Sequence, residues 1–428
     1  MKIEIHHKNA LTMKEEIISN LESPKHLEKL YRDNKTTFTK VFTAIFPDIQ
    51  DSKTAQIWKE RLSFDNEEIS WGTTNDLVFV VIACFIGGLI AKIPDLFAID
   101  HDYFYPRNIA FIVFPMLTAF FAWKQNIPIK RFLIVTFSII LAAIYINLLP
   151  NDNRSDTLIL ACIHLPLLLW ALFGLTFVGI NFNDYQKRIE FLRFNGDLAV
   201  MTGIIIIACG ILTGITFGLF ELINIKIDLF FEKYIAIWGG ASVPIVAAFL
   251  VRTNPHLVNK VSPVIAKVFT PLVFVMLVIY LGAIIYSGKD PYNDREFLLI
   301  FNLLLIGVMA IILFSIAETS KNSNNKMGPM LLLALSIITI IVNGIALSAI
   351  LFRISEGGIT PNRLAILGGN ILILINLLLV TFRLFSTVKA ENENEISKVE
   401  DGIAAFMPIY AAWTIIVIFI FPVLFGFK

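Results

Sequence analysis

The chain has 428 residues, of which 56% are hydrophobic and 37 are phenylalanine, and its mean hydropathy of +0.73 lies above the soluble range. A net charge of +1 offers no electrostatic basis for binding nucleic acid. The three cysteines, Cys84, Cys162 and Cys209, are neither evenly paired nor spaced as metal ligands, and they read as small buried hydrophobes.

Residues 1–75 are charged and helix-prone, with no apolar run to serve as a signal peptide. Thr12 lies three residues before Glu15, the spacing of a capping box. Ser23-Pro24 predicts an N-cap and first-turn proline for a helix through Tyr31, and Ser52 predicts a cap for Lys53–Arg61. Leu27, Leu30, Phe38, Val41, Phe42, Ile45, Phe46, Ile57, Trp58 and Leu62 recur at helical spacing. Three or four short helices around a small core are expected.

Eleven apolar stretches follow: Leu77–Phe97, Ile109–Trp123, Phe132–Leu149, Leu158–Ile180, Leu198–Ile223, Tyr234–Val251, Val268–Tyr286, Phe297–Ile316, Met330–Phe352, Leu364–Phe385 and Ile403–Phe427. Each runs roughly 15–26 residues, near what a ~30 Å hydrocarbon layer needs, and far longer than a membrane strand. The expected fold is therefore all-α: a polytopic transmembrane helical bundle over 76–428. Pro94, Pro115, Pro166, Pro244, Pro271, Pro408 and Pro422 fall inside spans and predict kinks or local irregularity. The loop Asn181–Asp197 places Tyr185, Ile189 and Leu192 on one helical face and predicts an interfacial amphipathic helix. The acidic segment Glu391–Asp401 predicts a solvated loop.

The unsecreted N-terminal part places the N-terminus in the cytoplasm. The loops then inside carry more Lys and Arg per segment than those outside. Eleven spans put the C-terminus outside. Gly210, Gly214 and Gly218 form a GxxxGxxxG stripe, which predicts close helix packing within the chain or between copies.

Polar groups inside spans are costly, and they are His164, Asn302, Asn343, Asn370 and Asn376. Asn343 is near a span centre and must find a partner. It makes either an interhelical hydrogen bond or part of a substrate or ion pathway. His164 covers a carbonyl freed by Pro166 or takes part in proton transfer. The carboxylates Asp95, Glu221 and Glu318 lie only at span ends and read as interfacial anchors.

The richest polar loop is Arg353–Arg363. Gly357-Gly358 frees the backbone, and Thr360-Pro361 reads as N-cap and first-turn proline. Asn362 and Arg363 follow, and Arg363 opposes the helix dipole unless compensated, with Glu356 the nearest carboxylate. The loop is an anion or headgroup site flanked by Arg353 and Arg363, or a salt-bridged turn. A second polar hub, Asp290–Glu296, falls on the same predicted face. No catalytic, cofactor or metal-binding signature appears.

DPYNDREFLLIFN at 290–302, RISEGGITPNR at 353–363 and LGGN at 367–370 resemble a family of uncharacterised bacterial multi-pass membrane proteins, the domain-of-unknown-function family 4153. INLLP at 146–150 and IHLPL at 163–167 are similar too. The resemblance covers most of the chain and implies an inner-membrane protein, with no assigned substrate, cofactor or catalytic residue. The chain departs from it at Glu356-Gly357-Gly358, where related sequences more often carry an aromatic before the second glycine. The expected function is permease-like handling of a small molecule or lipid. The alternative is a non-transporting sensor or scaffold that binds a cytoplasmic partner through residues 1–75.

Overall fold

A computed structural model describes residues 13–33, 35–64, 71–152, 154–180, 183–222, 226–255, 261–287, 295–319, 327–390 and 394–428. The chain divides into two compact units between Ser70 and Trp71. Every regular element described is helical.

The first unit holds α1 (13–19), α2 (Pro24–Asp33), α3 (Lys35–Ile49) and α4 (Lys53–Phe64). Ser52 caps α4 by accepting the Ala55 N–H at 3.4 Å. Ile17, Leu27, Tyr31, Phe38, Phe42, Ile45, Ala55, Trp58 and Leu62 bury together, with the rings of Tyr31, Phe38 and Trp58 in mutual contact. Ile57 is the exception among the expected core residues. It is exposed, because its neighbour Trp58 takes the inward position on α4. Thr12, and with it the expected capping box, lies outside the described residues.

The second unit contains α5 (Thr74–Phe97), α6 (His101–Lys124), α7 (Ile129–Leu148), α8 (Asp156–Val178), α9 (Tyr185–Leu222) and α10 (Asp228–Thr253). It continues with α11 (Val261–Ser287), α12 (Arg295–Thr319), α13 (Met327–Gly357), α14 (Pro361–Ala390) and α15 (Asn394–Ile415, extended to Leu424). Nine of these are long and apolar enough to cross a membrane, and α11 and α12 contribute the shorter described apolar stretches Val268–Ile279 and Phe301–Ala317. One core gathers residues of α11–α15, another those of α5, α6, α8 and α10. The start of α9 joins both: Ile189 enters the first, Phe191 and Phe194 the second.

Three boundaries differ from expectation for one reason. Polar residues that look like loop are paired, and the helix runs on through them. α6 begins at His101, with Asp100 capping by accepting the Asp102 N–H. The predicted interfacial helix is the first third of α9, continuous with the span that follows: Arg188 donates to the Ala404 carbonyl at 2.9 Å, and Arg193 binds Glu400 at 2.6 Å. The predicted acidic loop is helical from Asn394, and Glu400 is buried in that ion pair.

Pro94, Pro115, Pro166 and Pro271 lie in helices that stay α throughout, whereas α10, which carries Pro244, includes a π segment over Phe231–Ala236 near its start. α15 widens to a π-turn over Ile416–Ile420, directly before Pro422. A proline supplies no N–H and crowds the carbonyl four residues back, so a wider turn relieves it. The glycine stripe overturns the expectation of close packing within the chain. Side chains built at Gly210 or Gly214 would meet nothing within 4 Å, so no neighbouring helix packs there among the described residues, while the side-chain surroundings of Gly218 are outside them. Cys209 on the same stretch is exposed rather than buried.

Candidate functional site

Three of the span amides meet on α12, α13 and α14. Asn370 Nδ2 donates to Asn302 Oδ1 at 2.8 Å, and Asn343 Nδ2 donates to the Asn370 carbonyl at 3.3 Å. Asn376, one to two turns further along α14, donates to the Tyr410 hydroxyl on α15 at 3.0 Å. Ser336, Thr339 and Asn343 occupy one face of α13 and are fully buried. Thr381 of α14 donates to Ser336 at 3.0 Å, and Thr339 turns back to the Leu335 carbonyl. A ladder of amides and hydroxyls thus follows the α13–α14 seam, walled by Leu335, Val342, Ala346, Ile373, Leu377 and Val380.

Two atoms in this ladder are unmatched. Asn343 Oδ1 and Asn376 Oδ1 are buried with no hydrogen-bond donor. Leaving such a group unmade costs about 1–3 kcal/mol. The helix that carries Asn370 is held close to α15 by Gly368, where any Cβ would lie 2.1 Å from the Trp413 ring. The glycine of the LGGN motif is thus a packing requirement.

His164 Nδ1 contacts the Leu160 carbonyl at 2.8 Å. The expected partner was the carbonyl freed by Pro166, which belongs to Cys162 four residues before the proline. The rotamer folds back along its own helix instead.

In the Arg353–Arg363 loop, Thr360 caps α14 by accepting the Arg363 N–H at 3.3 Å, and Pro361 takes the first helical position. The expected Glu356–Arg363 pair does not form. Glu356 is exposed, while Arg363 Nη1 donates to the Gly358 carbonyl at 2.7 Å and its guanidinium lies against Gly357. Gly358 adopts φ +73°, and the left-handed turn leaves its carbonyl within reach of Arg363. Arg363 is thereby compensated by a backbone dipole just past the negative end of α13. Arg353 and Asn362 are half-buried in the same hairpin. The side chains of Asp290–Glu296 lie outside the described residues.

A second polar assembly escaped sequence reasoning. Asn108 on α6 and Asn147 on α7 exchange side-chain hydrogen bonds at 2.8 and 3.0 Å. The Tyr103 hydroxyl donates to the Asn147 carbonyl at 3.0 Å. Lys92 Nζ binds Asp95 at 2.5 Å, and His101 Nε2 lies 3.0 Å from the same carboxylate, so Asp95 is an ion-pair centre rather than a lone interfacial anchor. Arg107 is 2% exposed between these groups. The available signal was INLLP, which supplies both Asn147 and the Pro150 carbonyl that Arg107 reaches. A second signal was the four-residue spacing of Tyr103 and Arg107.

This architecture defines an all-helical, multi-pass membrane protein. No family model, curated protein or solved structure matches the chain.

Proposed function

We propose that the second unit is permease-like and handles a small, uncharged polar molecule through the amide ladder of α12–α15. One observation carries this reading: two buried amide oxygens, on Asn343 and Asn376, lack donors. A solute N–H or O–H would supply them. The ladder is built of amides, hydroxyls and a phenol, so it favours a neutral ligand over an ion, whose desolvation it would not offset. The setting we infer is the bacterial inner membrane, with residues 1–75 in the cytoplasm and the C-terminus outside. The proposed kinship with family 4153 has only the sequence motifs in its support.

The test is access. Asn343→Cys and Asn376→Cys are made in a background with Cys84, Cys162 and Cys209 replaced, and exposed to a small impermeant thiosulfonate in oriented vesicles. Labelling of both positions from either aqueous side supports a path. Protection of both from each side sinks it and favours the runner-up, a sensor or scaffold that engages a cytoplasmic partner through residues 1–75. That alternative draws on the fact that Asn302, Asn343 and Asn370 already bond between helices. Orientation is read the same way, from single cysteines at Ser23 and Ser355 on whole cells. Labelling at Ser23 but not at Ser355 would reverse it.

A further inference from the structure

Arg107 is among the largest fully buried side chains of the protein, yet no carboxylate lies within 4 Å of it among the described residues. Its compensation is thin. Nη1 reaches the Tyr103 carbonyl at 3.3 Å, Nη2 reaches the Pro150 carbonyl at 3.4 Å, and the Tyr103 ring lies 4.2 Å from the guanidinium carbon. Both hydrogen bonds are long beside the 2.7–2.9 Å typical when a donor is charged. Nε is buried with no partner at all. Of five N–H groups in a guanidinium, two carbonyls engage one each.

The surroundings do not fill the gap. Asn108 and Asn147 spend their amide donors and oxygens on each other and on the Phe104 and Ala143 carbonyls. Asp95, at the end of α5, is already shared by Lys92 and His101. A buried cation is stable only when its charge is met, and within a spanning helix an ionisable side chain is by default a functional group awaiting a named partner. The planar guanidinium edge with a free Nε–H matches two oxygens of one oxyanion.

We propose that Arg107 anchors an anion-binding site that takes one phosphate group, carried either by a lipid headgroup or by a free solute. It lies where α5 ends and α6 begins, and it is separate from the amide ladder. The phosphate accepts from Nε and the adjacent nitrogen, while the Tyr103 and Pro150 carbonyls keep their places on the other side of the fork.

The experiment uses the full chain, purified and delipidated in a neutral detergent. Melting is followed as inorganic phosphate, or phosphatidylglycerol in mixed micelles, is added, with potassium chloride at matched ionic strength to separate binding from screening. Native mass spectrometry counts retained phosphate or lipid. We expect a saturable rise in Tm with one of the two probes and not with chloride. Phosphate alone identifies a free solute site, and phosphatidylglycerol alone identifies a headgroup site. Arg107→Gln should weaken binding roughly thirtyfold or more, as expected when one partner of a buried charged pair is removed. In the anion-free sample the same variant should melt no lower than the parent, because the uncompensated charge is gone. If Arg107→Gln does not fold, Arg107→Lys keeps the charge but loses the fork, and its binding should still weaken. A parent protein whose Tm and adduct pattern ignore both probes overturns the site, as does a response that survives in Arg107→Lys unchanged.

Discussion

The two polar assemblies of the membrane unit are built from different chemistry. The α12–α15 ladder sits at helix middles and is neutral: Asn302, Asn343, Asn370, Asn376 and their hydroxyl neighbours. The α5–α7 assembly sits at helix ends and includes Lys92, Asp95, His101 and Arg107. Desolvation explains the division. A stranded amide costs a few kcal/mol, whereas a stranded ion costs far more and must be paired or kept near water. Lys92, Asp95 and His101 obey this rule by pairing at a partly exposed end. Arg107 breaks it, which is why it is the more informative residue of the two assemblies.

The largest effect should come from the contact that holds the ladder in place. Gly368→Leu would drive a side chain into the Trp413 ring, which already lies 2.1 Å from any Cβ there. Overpacking of this kind costs ~1–3 kcal/mol or more. We expect loss of folded protein in detergent, read by size-exclusion yield and melting. Gly214→Leu, in open space, should leave both unchanged. If the two variants behave alike, the packing described for α14 and α15 is wrong.

A double-mutant cycle sharpens the contrast at the other assembly. Asn108→Leu or Asn147→Leu alone strands its partner's amide and should cost about 1–3 kcal/mol. The double change removes both halves, and a coupling energy of ~0.5–3 kcal/mol should reappear as partial recovery of Tm. Simple additivity would show that the pair is not a unit.

Within the ladder, two neighbouring asparagines should differ in sign. Asn370→Leu removes the hydrogen bond to Asn302 Oδ1 and should lower Tm, by ~0.5–1.5 kcal/mol of stability. Asn343→Leu strands no side chain, because Asn343 donates to a backbone carbonyl, and it deletes a donorless oxygen. Its Tm should hold or rise. A drop as large as that of Asn370→Leu would mean that Asn343 is structural glue, and it would remove the main support for a ligand in the ladder.

What could be read in advance follows the range of the interaction. Span number and position depend on length and hydropathy within one stretch, and Leu77–Phe97 or Leu364–Phe385 lie inside the observed helices. Asn343 was identifiable as needing a partner, but a carbonyl 27 residues away on another helix leaves no mark in local spacing. The apolar stretch Ile109–Trp123, with a start nearer Phe104 as its alternative, falls short of the first turn of α6, because Tyr103, Arg107 and Asn108 look like loop until Asn147 and Pro150 are known to face them. The GxxxGxxxG stripe states that a helix can come close, not that one does. At Arg363 proximity in sequence pointed to Glu356, whereas the left-handed turn at Gly358 offered a carbonyl at shorter reach.

The smallest effect lies outside the membrane unit, and it tests whether the pairing rule depends on burial. Glu28 joins Arg32 at 2.7 Å and Arg61 at 2.7 Å, on a surface where ion pairs are typically worth ~0–1 kcal/mol. The Arg32 hydrogen bond first, and Arg61 after it, hold the Glu28 carboxyl below the usual glutamate range. Because the folded value is the lower one, the stabilisation is complete above the unfolded value, about 4.3, and is lost as pH falls through the folded value. Proteolytic protection of residues 13–64 in the intact protein should therefore weaken slightly below about pH 4.5, and Glu28→Gln should flatten that dependence without unfolding the unit at neutral pH. A large loss of protection at neutral pH would mean that a half-buried carboxylate at the surface matters as much as a fully buried one, and the distinction drawn between the two membrane assemblies would lose its physical basis.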